Sequence, residues 1–339
     1  MNTQVECSKC RKGRTGLEYI CRTCDSLFTL KVNGKYSDKI TENFPYVKEW
    51  LMNPEFGTPI LSFNNLSMKL DYYIPTLSYK DRGMVNLFSF IKSNNLLRKE
   101  SYVNEDSSGN AGASFSFFSM MTEMKARIFV SSTANRIKID QIRTFGGEIV
   151  SIEGSREDVF KEASSSQGTY LGHSFMPEFR DGIRTLAYEI FKQREKLPDR
   201  IIVPLSAGTL FLGLLSGFEH LQESGEINEI PEIIAVQPEI ISPVYDYIYS
   251  KVRSNYSKSV ADALITVKSP HIEELAKKIK LNGRCITVSE KEIIDSQKSL
   301  MNKGIYTEFS SATTFAAYNK LNDKRNTLLI LTGSGLKNI

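Results

Sequence analysis

Short apolar runs of strand character at 102–104, 127–130, 148–152, 201–204, 233–237, 284–288 and 327–331 alternate with stretches of helical periodicity along most of the chain. Such alternation constrains the fold, because each helix returns the chain to begin the next strand beside the last and pointing the same way. The expected class is α/β, with two open, mostly parallel sheet domains flanked by helices. With 339 residues the chain can fill two cores, and a formal charge of +4 is too slight to imply a polyanionic partner. No internal repeat or low-complexity block is visible. No leader-like apolar region opens the chain, and no stretch approaches the roughly 18 apolar residues that a spanning helix needs. A cytoplasmic protein with neither a nucleic-acid nor a membrane partner is expected.

Four segments in this frame carry chemistry. In Pro-Thr-Leu-Ser-Tyr-Lys-Asp-Arg-Gly (75–83), Ser78 and Asp81 have the spacing of a capping box ahead of an apolar run, so Lys80 falls in a helix's first turn. A neutral amine there can condense with an aldehyde such as that of pyridoxal phosphate, although a solvated first-turn lysine gives the same pattern. In Asp-Ser-Ser-Gly-Asn-Ala-Gly-Ala-Ser (106–114), a strand end leads into a helix whose free N–H groups suit a carboxylate. Its Asn110 amide can reach a phenolate oxygen, while a plain capped turn is the alternative. The run 201–210 ends a buried strand in Ser206, Ala207, Gly208 and Thr209 at a helix start, a cradle for phosphate or merely a tight connection. The run 327–337 ends a strand at Thr332, whose hydroxyl at a carboxyl edge can meet a pyridine nitrogen; a frayed terminus is the plainer account.

Taken together, Pro-Thr-Leu-Ser-Tyr-Lys-Asp-Arg-Gly, Ser-Ser-Gly-Asn-Ala-Gly-Ala-Ser and Leu-Thr-Gly-Ser-Gly-Leu-Lys resemble the threonine synthase family of pyridoxal 5'-phosphate enzymes, fold type II. The likeness runs in order from about Gly57 to Lys337 and includes 304–312. It implies a tryptophan synthase β-like fold with a small domain at 77–178 and a large domain made of 35–76 and 179–339. It also implies that Lys80 holds the cofactor as an imine, that Asn110 contacts the ring hydroxyl, and that Thr332 faces the ring nitrogen. Ser206, Ala207, Gly208 and Thr209 would hold the phosphate, and Ser107, Ser108, Gly109 and Ala111 the substrate carboxylate. A homodimer is expected.

The departures fall where the family separates its substrates. The stretch 176–185 usually reads Asn-Pro-x-Arg-x-Glu-Gly-x-Lys-Thr in threonine synthases; here Met176 replaces the asparagine and Phe179 the arginine. Neither a thioether nor a phenyl ring donates a hydrogen bond to a substrate phosphate. Arg180, one residue on, could replace the lost cation only with a shifted backbone or a curled side chain. Ser206 and Ala207 stand where glycine or asparagine is usual.

At the N-terminus Cys7-Ser8-Lys9-Cys10 and Cys21-Arg22-Thr23-Cys24 are separated by ten residues. Two such knuckles suit a structural zinc held by Cys7, Cys10, Cys21 and Cys24 in a ribbon spanning 1–34, with a reducible disulfide pair or a degenerate ribbon as alternatives. The basic residues around them read as a solvated knuckle offsetting thiolate charge rather than as a nucleic-acid surface. Cys285, in an apolar run, reads as a core residue. The tyrosine-rich stretch 245–261 suits either a cover over the site or an exposed helix and loop.

The leading functional expectation is a threonine synthase-like lyase converting O-phosphohomoserine and water to threonine and phosphate. Met176 and Phe179 point to the alternative, another fold type II elimination or replacement enzyme: cysteine synthase-like, cysteate synthase-like, or a serine/threonine or diaminopropionate ammonia-lyase. A catalytically inactive regulator on the same fold is the non-enzyme alternative, disfavoured by intact Lys80, Asn110 and Thr332.

Overall fold

A computed structural model describes residues 3–338 except 33, 133, 135, 254 and 324, with backbone alone at 3, 4 and 338. The parts of the expected ribbon and domain spans at 1, 2, 33, 133, 135, 254, 324 and 339 therefore lie outside the described residues. The chain divides into two compact units, Met1–Phe56 with Lys80–Thr185, and Gly57–Tyr79 with Leu186–Ile339. It is an α/β protein of mostly parallel sheets with an N-terminal cysteine cluster.

The first unit holds a four-stranded parallel sheet in the order Glu148–Ile152, Lys125–Ser131, Tyr102–Glu105, Thr169–Tyr170. The chain enters at Tyr102–Glu105, winds outward through two strands, and returns to the other side at Thr169–Tyr170. Loops leaving the carboxyl ends of Tyr102–Glu105 and Thr169–Tyr170 thus flank the point where the winding reverses, the usual place for a ligand in an open sheet. The N-terminal strands Thr3–Cys7 and Phe28–Val32 form a separate antiparallel ribbon.

The sheet of the second unit runs Gly283–Val288, Glu232–Pro238, Arg200–Pro204, Thr327–Leu331, Leu66–Leu70, Ile60–Phe63, parallel except for its last strand. Here the reversal lies between Arg200–Pro204 and Thr327–Leu331. Both of these strands are buried throughout, which is why they read as unbroken apolar runs. Leu66, Met68 and Leu70 pack with Ile202, Leu329 and Leu331 in one core.

All seven expected runs lie within observed strands. The unit boundaries differ from the expected domains. Residues 35–56 group with the first unit: the Arg184 guanidinium stacks 4.6 Å over Phe44, Asn94 donates to Tyr46 O at 3.0 Å, and Ser93 Oγ donates to Glu49 O at 2.9 Å. Residues 179–185 stay there as well, since buried Arg184 donates to both oxygens of Asp181 and to Asn43 O. Residues 77–79 belong to the second unit, where Ser334 N donates to Leu77 O at 3.1 Å. Cys285 is buried, as expected.

Candidate active site

In the second unit the loop after Arg200–Pro204 and the loop after Thr327–Leu331 leave neighbouring parallel strands at the same edge. The first contains Ser206, Ala207 and Gly208 and opens the helix Thr209–Glu223. Gly208 has φ 104°, a left-handed conformation that favours glycine, and a Cβ there would come within 2.4 Å of Leu275. The first-turn N–H groups have no intrahelical acceptor, and no acidic side chain occupies that turn. Ser206 Oγ donates to Thr266 at 2.8 Å, and Ala207 O accepts from Ser269 at 2.7 Å, so the loop is pinned from behind.

The second loop presents Thr332. Ser311 Oγ accepts two backbone N–H groups, from Thr332 at 2.9 Å and Gly333 at 3.0 Å. With both lone pairs used, Ser311 donates, and Thr332 Oγ1 lies 3.1 Å away to accept. The Thr332 proton is then left to donate elsewhere, which suits an unprotonated ring nitrogen. Thr332 O accepts from Tyr79 N at 3.0 Å, and Ser78 bridges Gly333. Lys80 is the next residue in the chain.

In the first unit Lys80 opens the helix Lys80–Ser93 and is half-buried. Asp81 accepts from Ser114 at 2.6 Å, packing this helix start against the helix Asn110–Met121. Asn110 is buried at the first position of that second helix, while Ser107, Ser108 and Gly109 are half-buried ahead of it and Ala111 is buried just behind. Gly112 is required, since a Cβ would lie 2.0 Å from Ser107 O.

Phe179 stands beside the amine. Its ring is fully buried, with Lys80 Nζ 5.6 Å from its centroid, and it lies so close over Gly83 that a Cβ there would meet it at 2.5 Å. Met176 is buried one turn earlier. Arg180 is half-buried, and one step along a helix turns a side chain by about 100°, so it leaves the short helix Pro177–Gly182 on another side from Phe179.

A buried pair that sequence reasoning passed over lies at the reversal point of this sheet. Glu105 ends its strand and accepts from His173 N at 2.9 Å, while His173 Nδ1 lies 2.8 Å from its other oxygen. Burial, with the Lys80 charge adding to it, holds the imidazole well below its usual range. Burial likewise pushes the Glu105 carboxyl up to about 7. A neutral imidazole donating Nδ1–H to Glu105 keeps Nε2 as an acceptor, with Ser174 Oγ at 3.3 Å, and its ring meets Phe179 edge-on at 5.5 Å. The adjacent Asp106 accepts from Tyr170 at 2.8 Å and pairs with Arg156 at 3.3 Å. Glu105 and Asp106 ending a strand just ahead of Ser107 were the available signal, since two adjacent acids at a strand's carboxyl end need partners.

The four cysteines Cys7, Cys10, Cys21 and Cys24 converge, every sulfur within 4.8 Å of the others, with Cys7–Cys24 at 3.4 Å and Cys10–Cys21 at 3.5 Å. Tetrahedral zinc with bonds of about 2.3 Å needs sulfurs about 3.8 Å apart, so the donor set fits. Among the described residues no helix is long and apolar enough to cross a membrane.

Residues 51–333 match the family described as pyridoxal-phosphate dependent enzyme, and the chain belongs to it. Each unit by itself offers groups that fit that cofactor: in the first a lysine at a helix start, and in the second a backbone cradle free of acids and a hydroxyl at a strand end. Within the family, a threonine synthase of Methanocaldococcus jannaschii is 27% identical over 320 residues, covering 84% of this chain and 75% of the relative. A biosynthetic L-threonine dehydratase of Escherichia coli is 29% identical over 190 residues, covering 51% of this chain and 36% of the relative. The solved threonine deaminase isoform 2 from Solanum lycopersicum shares the fold, with TM-score 0.70 at 18% identity over 95% of each chain. Fold type II is thereby established.

Proposed function

We propose that this enzyme is a threonine synthase-like lyase that converts O-phosphohomoserine and water to threonine and phosphate. The observation supporting the reading is the hydrogen bond from Tyr79 N to the main-chain carbonyl of Thr332, Tyr79 being the residue before Lys80 in the chain; the threonine synthase relatives supply the reaction class. When bound, pyridoxal phosphate supplies an electron sink for a substrate carbanion. Lys80 would hold its aldehyde, and the Lys80 amine would take the α-carbon proton as general base. Ser206, Ala207, Gly208 and Thr209 would hold the cofactor phosphate with backbone donors, and Asn110 would donate to the ring oxygen. Thr332 would donate to the ring nitrogen, a pairing with the unprotonated nitrogen that suits elimination and replacement better than racemisation. Ser107, Ser108, Gly109 and Ala111 take the α-carboxylate, and Arg180 contacts the substrate side chain. The proposal includes a zinc ion on the four cysteines, a homodimer, and a cytoplasmic location with neither nucleic acid nor membrane as partner.

A second reading is favoured by Phe179, buried beside Lys80 where a phosphate-binding cation is usual. On it, the substrate is an amino acid whose β leaving group carries no phosphate, released as in an ammonia-lyase or replaced as in a cysteine synthase. Purified enzyme given O-phosphohomoserine, L-serine, L-threonine, O-acetylserine and 2,3-diaminopropionate in parallel separates the two. Phosphate release with threonine formation supports the first, and turnover confined to the others replaces it with the second.

A further inference from the structure

We infer that the cysteine ribbon positions the segment 175–180, with Arg14 and Tyr19 as its two arms, so that metal binding at the cysteines sets the shape of the wall beside Lys80. This extends the proposed function and rests on its reading of Lys80 and Phe179, whereas the contacts that carry it do not.

Arg14 lies on the ribbon, its N–H donating to Val5 O at 3.1 Å, two residues ahead of Cys7. Its guanidinium reaches the short helix Pro177–Gly182 and pairs with both oxygens of Glu178. Both side chains are almost wholly out of water, 2% and 0% exposed, and the guanidinium also lies about 6 Å over the rings of Phe28 and Phe90. A buried carboxylate held by a bidentate guanidinium is a strong, directional tie. Glu178 is the immediate neighbour of Phe179, and its carbonyl accepts from Asn86 at 2.6 Å. The second arm is Tyr19, two residues ahead of Cys21, with Ile20 bridged to Leu27. Its ring meets Phe175 edge-on at 5.5 Å and Tyr170 at 4.9 Å, and Phe160 closes the cluster.

The arms therefore leave the ribbon between its two cysteine pairs, Arg14 four residues after Cys10 and Tyr19 two before Cys21, and end on opposite sides of Met176, at Glu178 and Phe175. Within the segment, Phe175 N and Met176 N donate to Gly172 O and Arg180 N donates to Met176 O, all local bonds. Its long-range grips include Asn86 on the Glu178 carbonyl, Gly83 under Phe179 and the two ribbon arms. Wrapping four thiolates around one ion folds a ribbon too short to hold its shape alone, and the two arms carry that order to Phe179. Arg14 is a positioning residue, acting through Glu178.

The test is amide hydrogen exchange on the full-length protein, reading the peptide that covers 172–183 against the strand Thr327–Leu331. Stripping zinc with a chelator, and separately Arg14→Gln with zinc content unchanged, should each speed exchange in 172–183 by about tenfold while leaving Thr327–Leu331 as it was. Tyr19→Leu should act in the same direction, Arg14→Lys should recover part of the protection, and Arg11→Gln, on the exposed pair with Glu6, should change nothing. In protein loaded with pyridoxal phosphate, Arg14→Gln should alter the visible circular dichroism of the bound cofactor at full occupancy. Unchanged exchange at 172–183, or an equal rise throughout the chain, would overturn the proposal. Protein that takes up no cofactor would instead remove the reading of Lys80 and leave the exchange comparison standing.

Discussion

The loop around Thr332 and the segment around Phe179 are built in opposite ways. Thr332 is held by one hydroxyl, Ser311, which also accepts from Gly333 N, and by the backbone N–H of Tyr79. Its surroundings are small residues whose work is done by N–H and C=O. Phe179 is held by bulk and charge, with Gly83 beneath it and Arg14 on its neighbour Glu178 both from far along the chain, and nearby His173 at its edge. On the proposed reading, the lesson is that the cofactor grip would lie in backbone geometry, which small residues permit, and substrate choice in side chains that can change size and charge without disturbing that grip.

The largest expected effect tests the first half of that contrast. Lys80→Ala should lower turnover of any accepted amino acid by about 10³-fold or more, measured at saturating substrate. Next comes the tie behind the second half. Glu178→Ala leaves a buried guanidinium without its partner and should lower stability by about 3–5 kcal/mol, read from urea unfolding. Replacing the wall itself sharpens the contrast further: the double variant Met176→Asn, Phe179→Arg should raise kcat/KM for O-phosphohomoserine by about tenfold, the worth of one charge-assisted hydrogen bond, with cofactor content unchanged in a phosphate-release assay.

The smallest effect concerns the buried acid. Folding favours protonated Glu105, so its contribution is complete below pH 4.5 and is lost as pH rises through about 7. His173 acts in the opposite direction: held neutral, it contributes above its usual 6.5 and loses that contribution as pH falls. Arg156, Lys80 and Asp106 also act on this pair. Glu105→Gln should therefore flatten the loss of stability between pH 4.5 and about 7 while leaving the acid limb, which belongs to His173, in place. Thermal unfolding across that range reads it.

The same contrast explains what could be read from the sequence. Runs such as 201–204 and 327–331, buried throughout, announce themselves as strands, and the small residues after them mark where the backbone itself is left open at the strand ends. Leu66–Leu70 escaped because it contains Ser67 and Lys69, which look half-exposed; in the fold Lys69 is fully buried, held by Glu189, Gln193 and the carbonyl of Thr58. Thr169–Tyr170 is too short to show any period. The departures at Met176 and Phe179 were visible, but not that Phe179 abuts Gly83 and Lys80, nor that Arg14 and Tyr19 grip its flanks. Those contacts join residues more than ninety positions apart, and no local pattern encodes them.

The most direct test of the account is to add pyridoxal phosphate to the purified protein, reduce with borohydride, and map the pyridoxyl label by peptide mass. The account predicts one label per chain, on Lys80, and a visible absorbance band before reduction. Label on another lysine, or a colourless protein that takes up none, would contradict it.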